Sequence, residues 1–245
     1  MLVNDMGWKI DSFELLSRHV TSYLGGVREA KCFFQDKEWK FLTAGSGEVI
    51  LCLHGFGSTK VMWRSFMAGL SDDYQIVSPE IPGLSSRVDF AQGNFSKHQI
   101  AHWLNVFLDS KNINKVHLVG HAAGGIAASY YTHTHPNRVS SLALFNPPDL
   151  ASMRSGDLPS WEESKLGFNS LAQVEEHLNS YFYNPPQLPE IVKRFYMQRV
   201  LRSLAEGKLL PLIEKEVEGL PLFISQLRNI QQKTLLVAAD HDVMS

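Results

Sequence analysis

The chain has 245 residues, 44% of them hydrophobic and 20% charged, with a formal net charge of -2, enough for one large α/β domain with a sizeable core. So even a charge balance excludes the electrostatic footprint of a nucleic-acid-binding protein, and no window holds the ~18 uncharged apolar residues of a membrane span. The first residues lack a basic stretch followed by an apolar one, so no secretory leader is read there and a cytoplasmic location is expected, peripheral membrane contact being the alternative.

In chain order, residues 1–30 read as a helical segment. Its amphipathic stretch 8–24 is expected to dock as an ordinary helix, with contact to a membrane surface as the other reading. From about residue 31, short apolar runs alternate with stretches of helical period, the signature of strands joined by helical crossovers in a mostly parallel sheet. Strands are predicted at 31–35, 39–44, 49–53, 75–78, 116–119, 141–145 and 234–238, the first two as an antiparallel hairpin. Trp63, Phe66, Met67 and Leu70 share one helical face, as do Ile100, Trp103, Leu104, Phe107 and Leu108 behind a Ser96-x-x-Gln99 capping box. These aromatics are assigned to the core. The two cysteines, Cys32 and Cys52, lie inside apolar strands and read as buried free thiols.

After Asn146-Pro147-Pro148 the alternation stops. Residues 148–231 carry helical stretches punctuated by prolines and glycines, with Leu171, Val174, Leu178 and Phe182 on one face and Leu220, Phe223, Ile224 and Leu227 on another. The expected organisation is therefore a core of residues 31–147 and 232–245 with a helical cap inserted at 148–231.

Chemistry is expected where strands end. The third strand runs into His54-Gly55-Phe56-Gly57 and the fifth into Gly120-His121-Ala122-Ala123-Gly124, both at the carboxyl edge of the sheet where ligand sites of such folds lie. A strand turning sharply into a helix strains the middle residue of G-x-X-x-G, and the flanking glycines admit the neighbouring backbone. Together with Pro79-Glu80-Ile81-Pro82-Gly83 and Ala239-Asp240-His241-Asp242, this pattern resembles the α/β-hydrolase family, and most closely its branch of bacterial lipases and monoacylglycerol lipases. The resemblance implies a serine ester hydrolase acting through an acyl-enzyme, with the nucleophile position at Ala122, backbone oxyanion donors at Phe56 and Ala123, and the triad acid at Asp242. Asp149 and Asp240 are lesser rivals for the acid. His54, Gly55, Gly57, Gly120, His121 and Gly124 would flank the pocket.

Two departures follow. Alanine carries neither a proton to lose nor a lone pair to attack with, and the family's histidine lies beyond a further strand, whereas this sequence ends at Ser245, three residues past Asp242. His241 is badly placed to bridge Asp242 and position 122, and His98, His102, His117, His133, His135 and His177 read as helix-surface, strand or helix-end positions. No histidine pair has zinc-site spacing and no G-x-G-x-x-G stands where a nucleotide needs it, so neither a metal nor a cofactor is expected. The sequence as written is thus expected to be inactive. It reads either as a disabled or shortened hydrolase or as a natural pseudohydrolase acting as a binding module; non-hydrolytic chemistry of the family is disfavoured for want of the histidine. The expected ligand is a small apolar ester or lipid, of medium-chain or monoacyl type given the apolar cap. The last strand is expected to expose an apolar edge through which copies associate.

Overall fold

The computed structural model describes residues 26–34, 37–55, 58–85, 96–147, 170–180, 187–205 and 227–238. Among them, β1 (Arg28–Phe34), β2 (Lys37–Ala44), β3 (Val49–Leu53), β4 (Gln75–Pro79), β5 (Val116–His121), β6 (Val139–Phe145) and β7 (Lys233–Val237) form one sheet. Its order is β1-β2-β4-β3-β5-β6-β7. β1 and β2 make the expected antiparallel hairpin and β2 pairs antiparallel with β4, while the pairs from β4 to β7 are all parallel. The helices are α1 (Arg64–Leu70), entered through a 3-10 turn at Lys60–Trp63, then α2 (Lys97–Ser110), α3 (Ala123–Thr134), α4 (Leu171–Ser180) and α5 (Glu190–Ala205). This is an α/β fold with a mixed, mostly parallel sheet, as the alternation of apolar runs and helical periods predicted.

Strand boundaries depart from the apolar runs where pairing outlasts hydrophobicity. β1 begins at Arg28 because Arg28 and Glu29 already face Thr43 and Leu42 in the ladder. β5 continues to His121 because its pairing with β6 holds through His121 and Phe145. Apart from Ala30, the added residues Arg28, Glu29, Gly120 and His121 carry no apolar side chain, so neither extension stands out in a hydrophobicity pattern.

Alternation along β3 splits the core between the two faces of the sheet. Leu51 and Leu53 point into the larger cluster, with Trp103, Leu104 and Phe107 of α2 and Ala127, Ala128 and Tyr131 of α3. Ile50 and Cys52 point to the opposite face, where Trp63 and Met67 cover them. The expected capping box of α2 is present, Ser96 Oγ accepting from the Gln99 amide and Gln99 returning the bond to Ser96 N–H. Trp39 and Trp103 meet at 5.2 Å between ring centroids and Phe41 and Phe107 at 5.4 Å, so the aromatics assigned to the core are there. Cys32 and Cys52 are buried and free.

α4 and α5 stand between β6 and β7 in the chain, where the helical insertion was predicted, and Lys193 of α5 pairs with Glu175 of α4 at 2.8 Å. Phe182, Leu220, Phe223, Ile224 and the amphipathic stretch 8–24 lie outside the described residues. β7 forms one edge of the described sheet, with Leu235 and Leu236 57% and 60% exposed. Among the described residues no helix is long and apolar enough to cross a membrane, and no group of His, Cys, Asp and Glu is arranged to hold a metal ion.

Candidate active site

β3 and β5 are parallel neighbours, Leu53 lying opposite Gly120, so the two glycine-bearing strand ends meet at one edge of the sheet as expected. Ala122 is the hinge between β5 and α3. Its φ of 47° and ψ of -121° lie in a region that residues with a Cβ rarely adopt. Both sides of the turn hold it there: the Ala122 amide donates to the Phe145 carbonyl at 3.0 Å, and the Ala122 carbonyl accepts from Gly125 at 2.7 Å.

The flanking glycines act by close approach. A Cβ at Gly124 would stand 2.4 Å from the Leu53 carbonyl oxygen and 2.6 Å from that of His54. One at Gly120 would stand 2.5 Å from the Gly124 carbonyl oxygen. The start of α3 is thus pressed against the end of β3. Gly55 completes the contact, since a Cβ there would lie 3.2 Å from the Ala122 methyl and 3.0 Å from His121 Nδ1. The Ala123 amide stands at the first position of α3, where the helix offers no carbonyl one turn earlier for it to bond.

Beside this small-residue turn stands a buried polar group. His54 is fully buried. Its Nε2 accepts from the Ile81 amide at 3.0 Å, and its Nδ1 lies 2.9 Å from the Gly55 carbonyl. An amide donor at one nitrogen and a carbonyl acceptor at the other fix the ring as the neutral, Nδ1-protonated tautomer. Burial holds the His54 pKa below its ordinary value, and the charges of Lys60 and His121 act in the same direction, against the Gly55 carbonyl and the Glu80 carboxylate. Behind His54, Lys60 Nζ donates to Glu80 Oε1 at 2.7 Å, Glu29 lies 3.3 Å from the same Nζ, and Ser85 Oγ donates to Glu80 Oε2 at 2.6 Å. Lys60 and Glu80 are 1% and 4% exposed, a burial that two charges tolerate only when paired and hydrogen-bonded.

His54, Gly55, Gly120, His121, Ala122, Ala123 and Gly124 are therefore brought together. Phe56, Gly57, Asp149, Asp240, His241 and Asp242 lie outside the described residues. Lys60, Glu80 and Ser85 were missed as site residues, although a lysine beside the apolar Val61-Met62-Trp63 is a cation in need of a partner. His117, expected on a strand, is on β5 and lies 2.8 Å from Ser141 Oγ of β6. A cavity of about 560 Å³ lined by Arg28, Phe41, Glu48, Gln75, Lys111 and Ile113 opens at the amino-terminal end of the parallel strands, away from the turn at Ala122, the elbow between β5 and α3.

Residues 48–244 match the family described as alpha/beta hydrolase fold. The chain is 33% identical over 103 residues to the dihydrolipoyllysine-residue acetyltransferase component of an acetoin cleaving system from Cupriavidus necator, covering 42% of this chain and 27% of that protein. It is also 33% identical over 108 residues to a monoacylglycerol lipase from Xenopus laevis, covering 43% and 32%. Matched segments thus span under a third of either relative. Among solved structures, that of a membrane phospholipase A, a bacterial virulence factor, superposes with a TM-score of 0.77 at 25% identity, covering 94% of this chain and 75% of that one.

Proposed function

The chain belongs to the α/β-hydrolase fold family, and on that premise we propose that it is an ester-hydrolase scaffold that holds a small apolar ester or lipid-like molecule without cleaving it through an acyl-enzyme. One observation carries this reading: the strained strand-to-helix turn at φ 47° and ψ -121° is built in full, yet the residue in it is Ala122. A methyl group cannot attack a carbonyl. In related enzymes the loss of a triad member leaves a residual acceleration of about 10³ to 10⁴ from binding and the oxyanion hole. His54 cannot stand in as a base, because both ring nitrogens are already engaged. In this reading Ala123 and Phe56 supply the amides that face the ligand's carbonyl oxygen, and Asp242 keeps the acid's place. The lipid substrates that name the monoacylglycerol lipase and the phospholipase A support a lipid-like ligand, and the first of them a monoacyl one.

The test pairs binding with turnover. A non-hydrolysable monoalkylglycerol ether should bind saturably in calorimetry, while p-nitrophenyl butyrate and a monoacylglycerol should be hydrolysed no faster than the residual rate above. Rapid turnover with an acyl-enzyme burst would overturn the inert elbow; absence of saturable binding would overturn the ligand. Ala122→Ser alone is expected to stay without rapid esterase activity, and brisk hydrolysis by that variant would show a base within reach of position 122.

A further inference from the structure

We propose that the buried Lys60–Glu80 ion pair is a positioning element of this site, locking the segment after β4 onto the segment after β3 so that the His54 ring and the Gly55 carbonyl are held in one orientation. The inference rests on the proposed ligand site at the ends of β3 and β5 and asks what holds the β3 side of it in place.

The chain of contacts is short. The group to be held is the Gly55 carbonyl, whose residue lies against Ala122 and His121 at the strand ends. Two donors fix that carbonyl: the His54 ring at 2.9 Å and the Ser58 amide at 3.2 Å. His54 donates from Nδ1 only while Nε2 remains an acceptor, and Nε2 is kept so by the Ile81 amide at 3.0 Å. Ile81 adjoins Glu80, whose carboxylate is held by Lys60 at 2.7 Å and by Ser85 at 2.6 Å. Lys60 belongs to the 3-10 turn that follows the residue 56 segment, and its own carbonyl accepts from Ser78 Oγ of β4 at 3.2 Å. Both ends of the ion pair are therefore seated in the two segments that must stay in register.

Lys60 also keeps the Glu80 carboxylate from acting on His54. Glu80 Oε2 lies 3.7 Å from His54 Nε2. Without the ammonium, that carboxylate is a buried, unbalanced charge whose nearest titratable neighbour is the imidazole. A proton drawn onto Nε2 would turn the acceptor into a donor facing the Ile81 amide, and that bond would be lost. The charged or titratable groups acting on His54 are Glu80, Lys60 and His121; Lys60 and His121 oppose its protonation and Glu80 favours it.

Nitrogen-15 NMR of the histidine rings and amide hydrogen exchange on the full 245-residue chain test this without any catalytic readout. In the unmodified protein at neutral pH, His54 should be Nδ1-protonated and the Ile81 amide strongly protected; an Nε2-protonated or doubly protonated ring would overturn the proposal. Lys60→Met combined with Glu80→Gln removes both charges and leaves no buried carboxylate. The double variant should melt within a few degrees of the unmodified protein, yet exchange its Ile81 amide at least tenfold faster and show averaged His54 tautomers. Lys60→Arg should restore protection and a single tautomer. Unchanged exchange and tautomer in the double variant would overturn the proposal, and so would failure of the double variant to fold, which would make the pair a stability element only. Failed ligand binding with the NMR results as expected would overturn the proposed function alone.

Discussion

Two neighbouring strand ends at the same edge of the sheet are held in place by opposite means. The turn from β5 into α3 is fixed by what its residues lack: Gly120 and Gly124 leave room for carbonyls that a Cβ would strike at 2.4–2.5 Å. The segment after β3 is fixed by what its residues carry: a buried imidazole and a buried lysine bonded across to Ile81 and Glu80 in the segment after β4. Steric fixing is insensitive to pH and salt and fails when an atom is added. Electrostatic fixing fails when an atom or a proton is misplaced, and it is sensitive to both. A site that joins the two holds its backbone rigidly at position 122 and conditionally at position 55.

The largest effect expected from this contrast is on the charged side. Lys60→Met strands the Glu80 carboxylate in a site that is 4% exposed, and breaking such a pair costs about 3–5 kcal/mol; urea denaturation should show the loss, with much of it recovered in the double variant with Glu80→Gln. A loss under about 1 kcal/mol would mean that the pair is as dispensable as a surface one.

On the steric side, Gly124→Ala should cost about 3 kcal/mol, at the upper end for overpacking, since its new methyl meets backbone rather than a movable side chain. A melting temperature within a degree or two of the unmodified protein would show that α3 can slide away from β3, against the close approach described above.

The pH response belongs to the charged segment alone. His54 has its pKa lowered by burial below the ordinary 6.5, so below that pH the unfolded chain binds a proton that the folded one refuses. Stability therefore falls as pH drops below about 6.5, by at most about 1.4 kcal/mol per unit from this group, until the pH passes the folded-state pKa. Comparing the slope with that of His54→Asn between pH 7.5 and 5.5 isolates the contribution; identical slopes would mean that His54 titrates normally in the fold. The elbow variants should leave this slope unchanged.

The smallest effect is a gain. At φ 47° and ψ -121° an alanine is strained by about 1–3 kcal/mol, whereas glycine adopts the conformation freely at an entropic cost of about 0.5–1 kcal/mol. Ala122→Gly should stabilise the protein by about 1 kcal/mol. Destabilisation instead would mean that the methyl, beside Gly55, contributes packing that outweighs the strain.

The steric half of the site was legible in the residues. Glycines at 120 and 124 around position 122, placed where an apolar run gives way to a helical period, already imply a tight turn, because the demand for a missing Cβ is local. The seven apolar runs and the capping box at Ser96 were legible for the same reason. The electrostatic half was not. Lys60 and Glu80 are 20 residues apart, and His54 and Ile81 are 27 apart; nothing in either spacing marks a pair. His54 was placed at the rim of the pocket by its motif, but its tautomer depends on the Ile81 amide, in the segment after β4, as well as on the adjacent Gly55 carbonyl.

By itself, then, the sequence determined that this chain folds as alternating strands and helices, that it turns sharply at position 122, and that an alanine occupies the turn, since these depend on side-chain period and on steric rules within a few residues. Only the tertiary structure decided that β4 lies between β2 and β3. That order seats Glu80 against Lys60 and Ile81 against His54, because a buried charge or imidazole takes its protonation and direction from whatever the fold packs beside it.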